Sequence, residues 1–158
     1  MNERPYGIDP GEVVTHQVEG FGEVDLVFIP RSRYLVLEAE LAALEEQHRP
    51  VYQDMLRHLE HRKDPAAPAG ERPVAELVLA SGAIRADAVR AERQLCAWGI
   101  GGWRPAMPPL RVVAGPAGRE WQVLSPESLD LLEAQNLLTT MAGLVRSHWT
   151  LTPGEKKP

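Results

Sequence analysis

The residues best equipped for chemistry are a small set of histidines, one aspartate and one cysteine. His58 and His61 stand three apart with Glu60 between them. On a helix that spacing brings two imidazoles to one turn, where they could share a metal ion with a third ligand from His48 or Asp54. The order His-Leu-Glu-His matches neither HExxH nor HxxEH. A charged helix end, with histidines beside the negative end of the helix dipole, accounts for the same residues. Cys96 is the single cysteine, so there is no intramolecular disulfide and no CxxC pair for zinc. A nucleophilic thiol needs a placed base, and beside an apolar face a thiol acts as a small hydrophobe. Ser125 precedes a proline outside any GxSxG setting. His16 and His148 have no identifiable nucleophile to serve. Glu38, Glu40, Glu45 and Glu46 fall on the polar side of a helix.

The stretch CAWGIGGWRP, residues 96–105, raises the question of a phosphate loop. A dinucleotide fingerprint needs GxGxxG after a strand and before a helix. Here the glycines follow a helical pattern and precede prolines, and no GxxxxGK[ST] occurs. The reading is a structural bend. Gly99 stops a helix, Trp98 pins the turn to the core, Gly101 and Gly102 allow close backbone approach, and Trp103 covers the bend. Together these readings predict no catalytic residue, no cofactor and no metal.

The elements that would position these residues can be read from periodicity. Residues 1–12 read as a flexible arm and 153–158 as a flexible tail, around a single domain spanning 13–152. Over 13–29, alternation about Gly20 and Gly22 predicts a β-hairpin. Helical chemistry follows over 31–60, where Leu37, Leu41, Leu44, His48, Val51 and Met55 recur at spacings of four and three. Pro50 predicts a kink or break near Arg49. Residues 61–73, with three prolines and a glycine, read as an exposed linker. Helix returns over 74–98, with a break near Ser81-Gly82 and an apolar stripe of Ile84, Ala88, Ala91, Leu95 and Trp98. A second hairpin is expected within 105–124. Ser125-Pro126-Glu127 marks a helix start, and 126–150 is helical, either unbroken or divided near Asn136. The fold class is α+β, predominantly helical: a helical bundle with an N-terminal β-hairpin and a small hairpin insert. The predicted core holds Val24, Leu26, Phe28, Leu37, Leu41, Leu44, Leu95, Trp98, Leu129, Leu132 and Val145.

Bulk composition narrows the function classes. A net charge of −5, with basic residues interspersed among acids, argues against nucleic acid as a partner. No apolar run approaches a membrane span, and the N-terminus lacks the apolar stretch of a secretory leader. The expected location is the cytoplasm, where a lone cysteine stays reduced.

The order of motifs resembles the tail assembly chaperones of long-tailed, siphovirus-like phages and prophages. The resemblance rests on a hairpin leading through a proline into a charged helix (FIPRSRYLVLEAELAAL), a helix ending in Trp-Gly (RQLCAWGIGGWR), the run VLSPESLDLL, and a last helix of LLTTMAGLVRSH type. It spans most of residues 13–150. Trp103, the proline-rich insert from Pro105 to Gly118 and the proline-rich segment from His61 to Pro73 depart from the pattern. Such proteins are small helical chaperones without catalytic residues or cofactor. They bind the tape measure protein, and in some arrangements the tail tube protein, and keep it soluble in the bacterial host's cytoplasm during tail morphogenesis. Exposed apolar grooves between amphipathic helices would be the physical basis, with self-association as a corollary. Two other functions fit the same residues. One is a phage structural protein, such as a head–tail connector or tail completion factor. The other is a small metal-binding protein or enzyme using His48, His58 and His61.

Genes of the resembled family often carry a programmed frameshift near their end. Glu155-Lys156-Lys157 can be encoded GAA AAA AAG, a slippery run. The expectation is such a heptamer at these codons, with an overlapping −1 frame running past Pro158. Reading the nucleotide sequence decides it, and absence of either feature removes the frameshift.

Overall fold

The computed structural model of the chain describes residues 13–27, 29, 31–115, 118 and 120–150. The expected arm, the tail and Phe28 lie outside them. In chain order the elements are β1 (Val13–Val18), β2 (Gly22–Val27), α1 (Arg31–Lys63), α2 (Val74–Gly99), β3 (Ile100–Arg104), β4 (Leu110–Ala114), β5 (Glu120–Leu124), α3 (Pro126–Ala134) and α4 (Leu138–Thr150). The fold is α+β and predominantly helical, with an N-terminal hairpin and a second small hairpin. The described residues form two compact units, one running to Leu37 and resuming at Glu92, the other Glu38–Ala91.

In the first unit, β1 and β2 pair antiparallel from Val13↔Val27 to Val18↔Gly22. The turn closes through the Phe21 N–H on the Val18 carbonyl at 3.1 Å. Gly22 holds φ +135, and a side chain there would run into the Arg104 carbonyl. Alternation buries Val24 and Leu26 completely and leaves Asp25 on the opposite face. Beside β2 lies an element the sequence reading treated as a bend. Residues 100–104 are a strand, β3, giving the sheet order β1-β2-β3. Val24 faces Trp103 and Leu26 faces Ile100, with a bulge at Gly101. A methyl group on Gly101 would overlap the Val27 side chain, so glycine is required there by space. Gly99 does end α2, as expected, but at a negative φ. Its place is fixed by the Val145 side chain, which would overlap any Cβ.

The two tryptophans exchange the roles expected of them. Trp103 is the buried one, 4% exposed, with Phe21 edge-on at 5.5 Å between ring centroids. Trp98 is half-buried, and the Arg33 guanidinium lies over its ring at 4.6 Å. The cause is the period: β3 directs Trp103 to the same face as Val24, while Trp98 sits at the edge of the buried stripe of α2. Around Trp103 the core gathers Leu26, Ile29, Leu95, Cys96, Ile100, Val123, Leu124, Leu132, Met141 and Val145.

Residues 126–150 form two helices. Ser125 caps α3 through its hydroxyl, which accepts from the Ser128 N–H, with Pro126 in the first turn. Asn136, at φ 58, separates α3 from α4. The insert is the β4–β5 hairpin, paired from Leu110↔Leu124 to Ala114↔Glu120.

In the second unit, neither expected break occurs. α1 continues through Pro50 and α2 through Ser81-Gly82. A proline inside a helix costs about 3 kcal/mol. Seam residues lie on both sides of it, and their packing outweighs the local preference. Leu41 and Leu44 are half-buried rather than fully buried. No helix among the described residues is long and apolar enough to cross a membrane.

Truncating a buried tryptophan removes a large packed volume. Trp103→Ala should cost about 3–5 kcal/mol, whereas Trp98→Ala should cost about 1 kcal/mol, the scale of an exposed cation–π contact. Chemical denaturation of both variants tests the order. Equal losses, or a larger loss at Trp98, would contradict the assignment of Trp103 to the core.

Candidate functional site

The helical hairpin of the second unit carries the three histidines and Asp54, and it separates them into distinct tasks. His48, half-buried on α1, places Nε2 at 2.9 Å from Asp87 Oδ2 on α2. Asp54 is 1% exposed. Its Oδ1 accepts the Glu71 N–H and its Oδ2 the Arg72 N–H, both at 2.7 Å. His58 donates from Nε2 to the Arg72 carbonyl and His61 from Nδ1 to the Ala67 carbonyl, each at 2.7 Å. The carbonyls only accept, so the histidine nitrogens must be the donors. A Cβ on Gly70 would press on the His58 ring and the Asp54 carbonyl, so the loop lies directly against α1.

The imidazoles therefore do not converge. His58 and His61 each hold a backbone carbonyl, and His48 is tied to the other helix. Among the described residues no group of three His, Cys, Asp or Glu side chains could hold a metal ion. Residues 64–73 are mostly exposed, as expected of a linker, while residues 61–63 belong to α1. Residues 64–73 form a loop latched onto α1 by Asp54, His58 and His61.

Asp54 owes its ionised state first to the Arg72 backbone N–H. Burial opposes that effect, while the Glu71 N–H and the charges of Arg72 and His58 add to it. The net effect holds the carboxyl below its ordinary value. Arg72 Nη1 lies 3.6 Å from Oδ2 and Arg57 Nη1 3.9 Å from Oδ1, so a positive rim surrounds the buried charge.

The same two helices present an apolar face to solvent. Contacts from His48 to Asp87, and from Asp54 to the loop, show that α1 and α2 run antiparallel. Along α1 the inward seam continues through Val51, Met55 and His58. Tyr52, Leu56 and Leu59 each follow a seam residue by one position, about 100° around the helix. On α2, Val78 follows the buried Leu77 in the same way, and Val74 lies one turn before it. Both helices are right-handed and run oppositely, so these offsets turn to the same side of the hairpin. All five residues are half or more exposed. A shared apolar face of this kind is the usual mark of an interaction surface.

The remaining candidates have structural explanations. Cys96 is buried, its Sγ 3.7 Å from the Leu138 carbonyl. Burial, with the Glu92 charge adding to it, pushes its pKa up to about 12, so it is a neutral thiol at physiological pH. The glycines of 99–102 lead from a helix into a strand, opposite to the polarity of a phosphate loop. His16 lies on β1 opposite Val24. Sequence reasoning did not foresee the cluster on the outer face of the sheet. There Arg104 Nη1 donates to Asp25 Oδ2 at 2.8 Å, Nη2 to Oδ1 at 2.9 Å, and Nε to Glu23 at 2.9 Å. Burial would raise the Asp25 pKa, but Arg104 and Thr15 hold it below its ordinary value. Alternation along β2 placed Glu23 and Asp25 together, but recognising their partner required knowing that Arg104 lies on a strand. Compared with known proteins, the chain matches no family model, no curated protein and no solved structure.

A carboxylate whose folded pKa is depressed adds stability above its unfolded value, and that stability disappears as pH falls through the folded value. The Asp54 latch should therefore be complete above the ordinary value of 3.8 and fail below it. In Asp54→Asn one loop N–H loses its carboxylate acceptor. The variant should melt earlier than the parent at neutral pH, be cut faster by protease within 64–73, and lose less stability between neutral and strongly acidic pH. Identical acid profiles for parent and variant would rule out this role.

Proposed function

We propose that this chain is a non-catalytic tail assembly chaperone of a long-tailed phage or prophage, acting in the bacterial host's cytoplasm. The observation that carries the reading is the apolar face formed by Tyr52, Leu56 and Leu59 on α1 with Val74 and Val78 on α2. Helical partners dock on such surfaces through apolar residues repeated at three and four positions. The tape measure protein is a long helical chain whose apolar stripes remain uncovered until the tail tube forms around it. A face of two helices covers such a stripe without ATP and releases it to the tube when polymerisation provides a larger surface. The resemblance in motif order supports the choice of client, and the location of the exposed apolar residues supports the mode of binding.

The test is co-expression with the tape measure protein of the same genome. The parent chain should raise that protein's soluble yield and co-elute with it on a sizing column. The double variant Leu56→Glu/Val78→Glu places two charges in the contact. A central apolar contact is worth about 2 kcal/mol or more, so it should bind at least about thirtyfold more weakly and return the yield to the level without chaperone. No rise with the parent chain would overturn the reading. A rise that the double variant retains would remove the hairpin face from it.

A further inference from the structure

We infer that the free protein covers this face with a second copy of itself, in an antiparallel two-fold dimer whose axis passes beside Asp54 on α1 and Ser81 on α2. The inference goes beyond the chaperone reading, because it uses the same face but requires no client.

The argument begins with the exposed stripe of α1: Glu45, Arg49, Tyr52, Leu56, Leu59 and Lys63. Its spacings are four, three, four, three and four, the same in either direction. Two copies laid antiparallel about residue 54 therefore meet position for position. Tyr52 meets Leu56 of the second copy, and Arg49 meets Leu59 of the second copy. Glu45 meets Lys63 of the second copy. Two-fold symmetry makes each of these pairs twice. The ends are opposite in charge and the centre is apolar, so the stripe complements itself. Arg49 is held by Glu46 at 2.8 Å, which leaves its aliphatic stem to cover the leucine. Parallel pairing would set Glu45 against Glu45 and Lys63 against Lys63.

The other helix agrees with this axis. His48 is level with Asp87, so moving equally far along each helix toward the loop brings Asp54 level with Ser81. An axis at that height sets Val74 of α2 against Ala88 of the second copy. The small Ser81 side chains then meet at the crossing, where they permit close approach. The same axis turns two hairpins into a four-helix arrangement. A client helix has no reason to match a palindromic stripe of this kind, whereas a second copy matches it by construction.

The experiment is sedimentation equilibrium on the full chain, with no client present. The expected result is a dimer at about 50 µM, the concentration range of a moderate interface. Glu45→Lys alone and Lys63→Glu alone each replace two ion pairs by two like-charge contacts. Each should raise the dimer Kd about tenfold. The double variant E45K/K63E should return to within about threefold of the parent, since it restores both pairs reversed. Mixing the two single variants should give a heterodimer tighter than either homodimer, because both pairs then become attractive. Leu56→Glu should weaken the dimer about a hundredfold, with circular dichroism confirming that the helices persist. A monomer at about 50 µM overturns the inference, as does a dimer indifferent to both charge reversals. A chain that is monomeric alone and binds a client one-to-one through this face also overturns it, while leaving the chaperone reading intact. Failure of co-expression alongside a charge-dependent dimer would do the reverse.

Discussion

The hairpin unit depends on one buried carboxylate. Asp54 faces the helix-connecting loop and accepts the backbone N–H groups of Glu71 and Arg72. A carboxylate without hydrogen bonds in this position would be strongly destabilising. Two charge-assisted bonds to backbone donors change that balance. The loop cannot leave without stranding the charge, so the two helices are held at a fixed alignment. That alignment brings His48 level with Asp87 and determines which residues form the seam. It therefore also determines which residues are left facing solvent. The apolar face is a consequence of where the loop is fastened, as much as of the residues that compose it.

What the sequence disclosed follows a physical division. Features set by neighbours a few residues away were legible: the hairpin about Gly20 and Gly22, the Ser125 cap and, as one of two readings of 126–150, the divide at Asn136. Features set by distant partners were not. Nothing in IGGWR alone suggests a strand, since three of its five residues lack branching or bulk suited to a sheet. It becomes one because β2 offers an open edge and because Val27 requires glycine beside it. Pro50 was read by its local cost, but the seam on either side outweighs that cost. The tryptophans were assigned by assuming the helix stripe carried the core to its end. The change of period at Gly99 moved Trp103 inward and left Trp98 under Arg33.

The candidate site shows the same limit more sharply. His58 and His61 have the right spacing to share a metal turn. The spacing alone could not reveal that prolines and glycine fold the loop back onto them. Once the loop is there, its carbonyls occupy the imidazoles and the reading changes from ligand to fastening. The exposed face was not read from the sequence, which yielded one apolar stripe per helix. That Tyr52 and Val78 point to one side required knowing that the helices are antiparallel and in what register.

Cys96 provides a last consequence. Its thiol is enclosed by the first unit and, with its pKa pushed up to about 12, is almost entirely unionised in neutral solution. Thiol reagents act on the thiolate, so the folded protein presents them with no target. Any opening that admits water at Cys96 restores an ordinary, reactive cysteine. The chain thus contains its own chemical clock for one half of the molecule. The rate at which its single sulfur is modified measures how often the first unit opens.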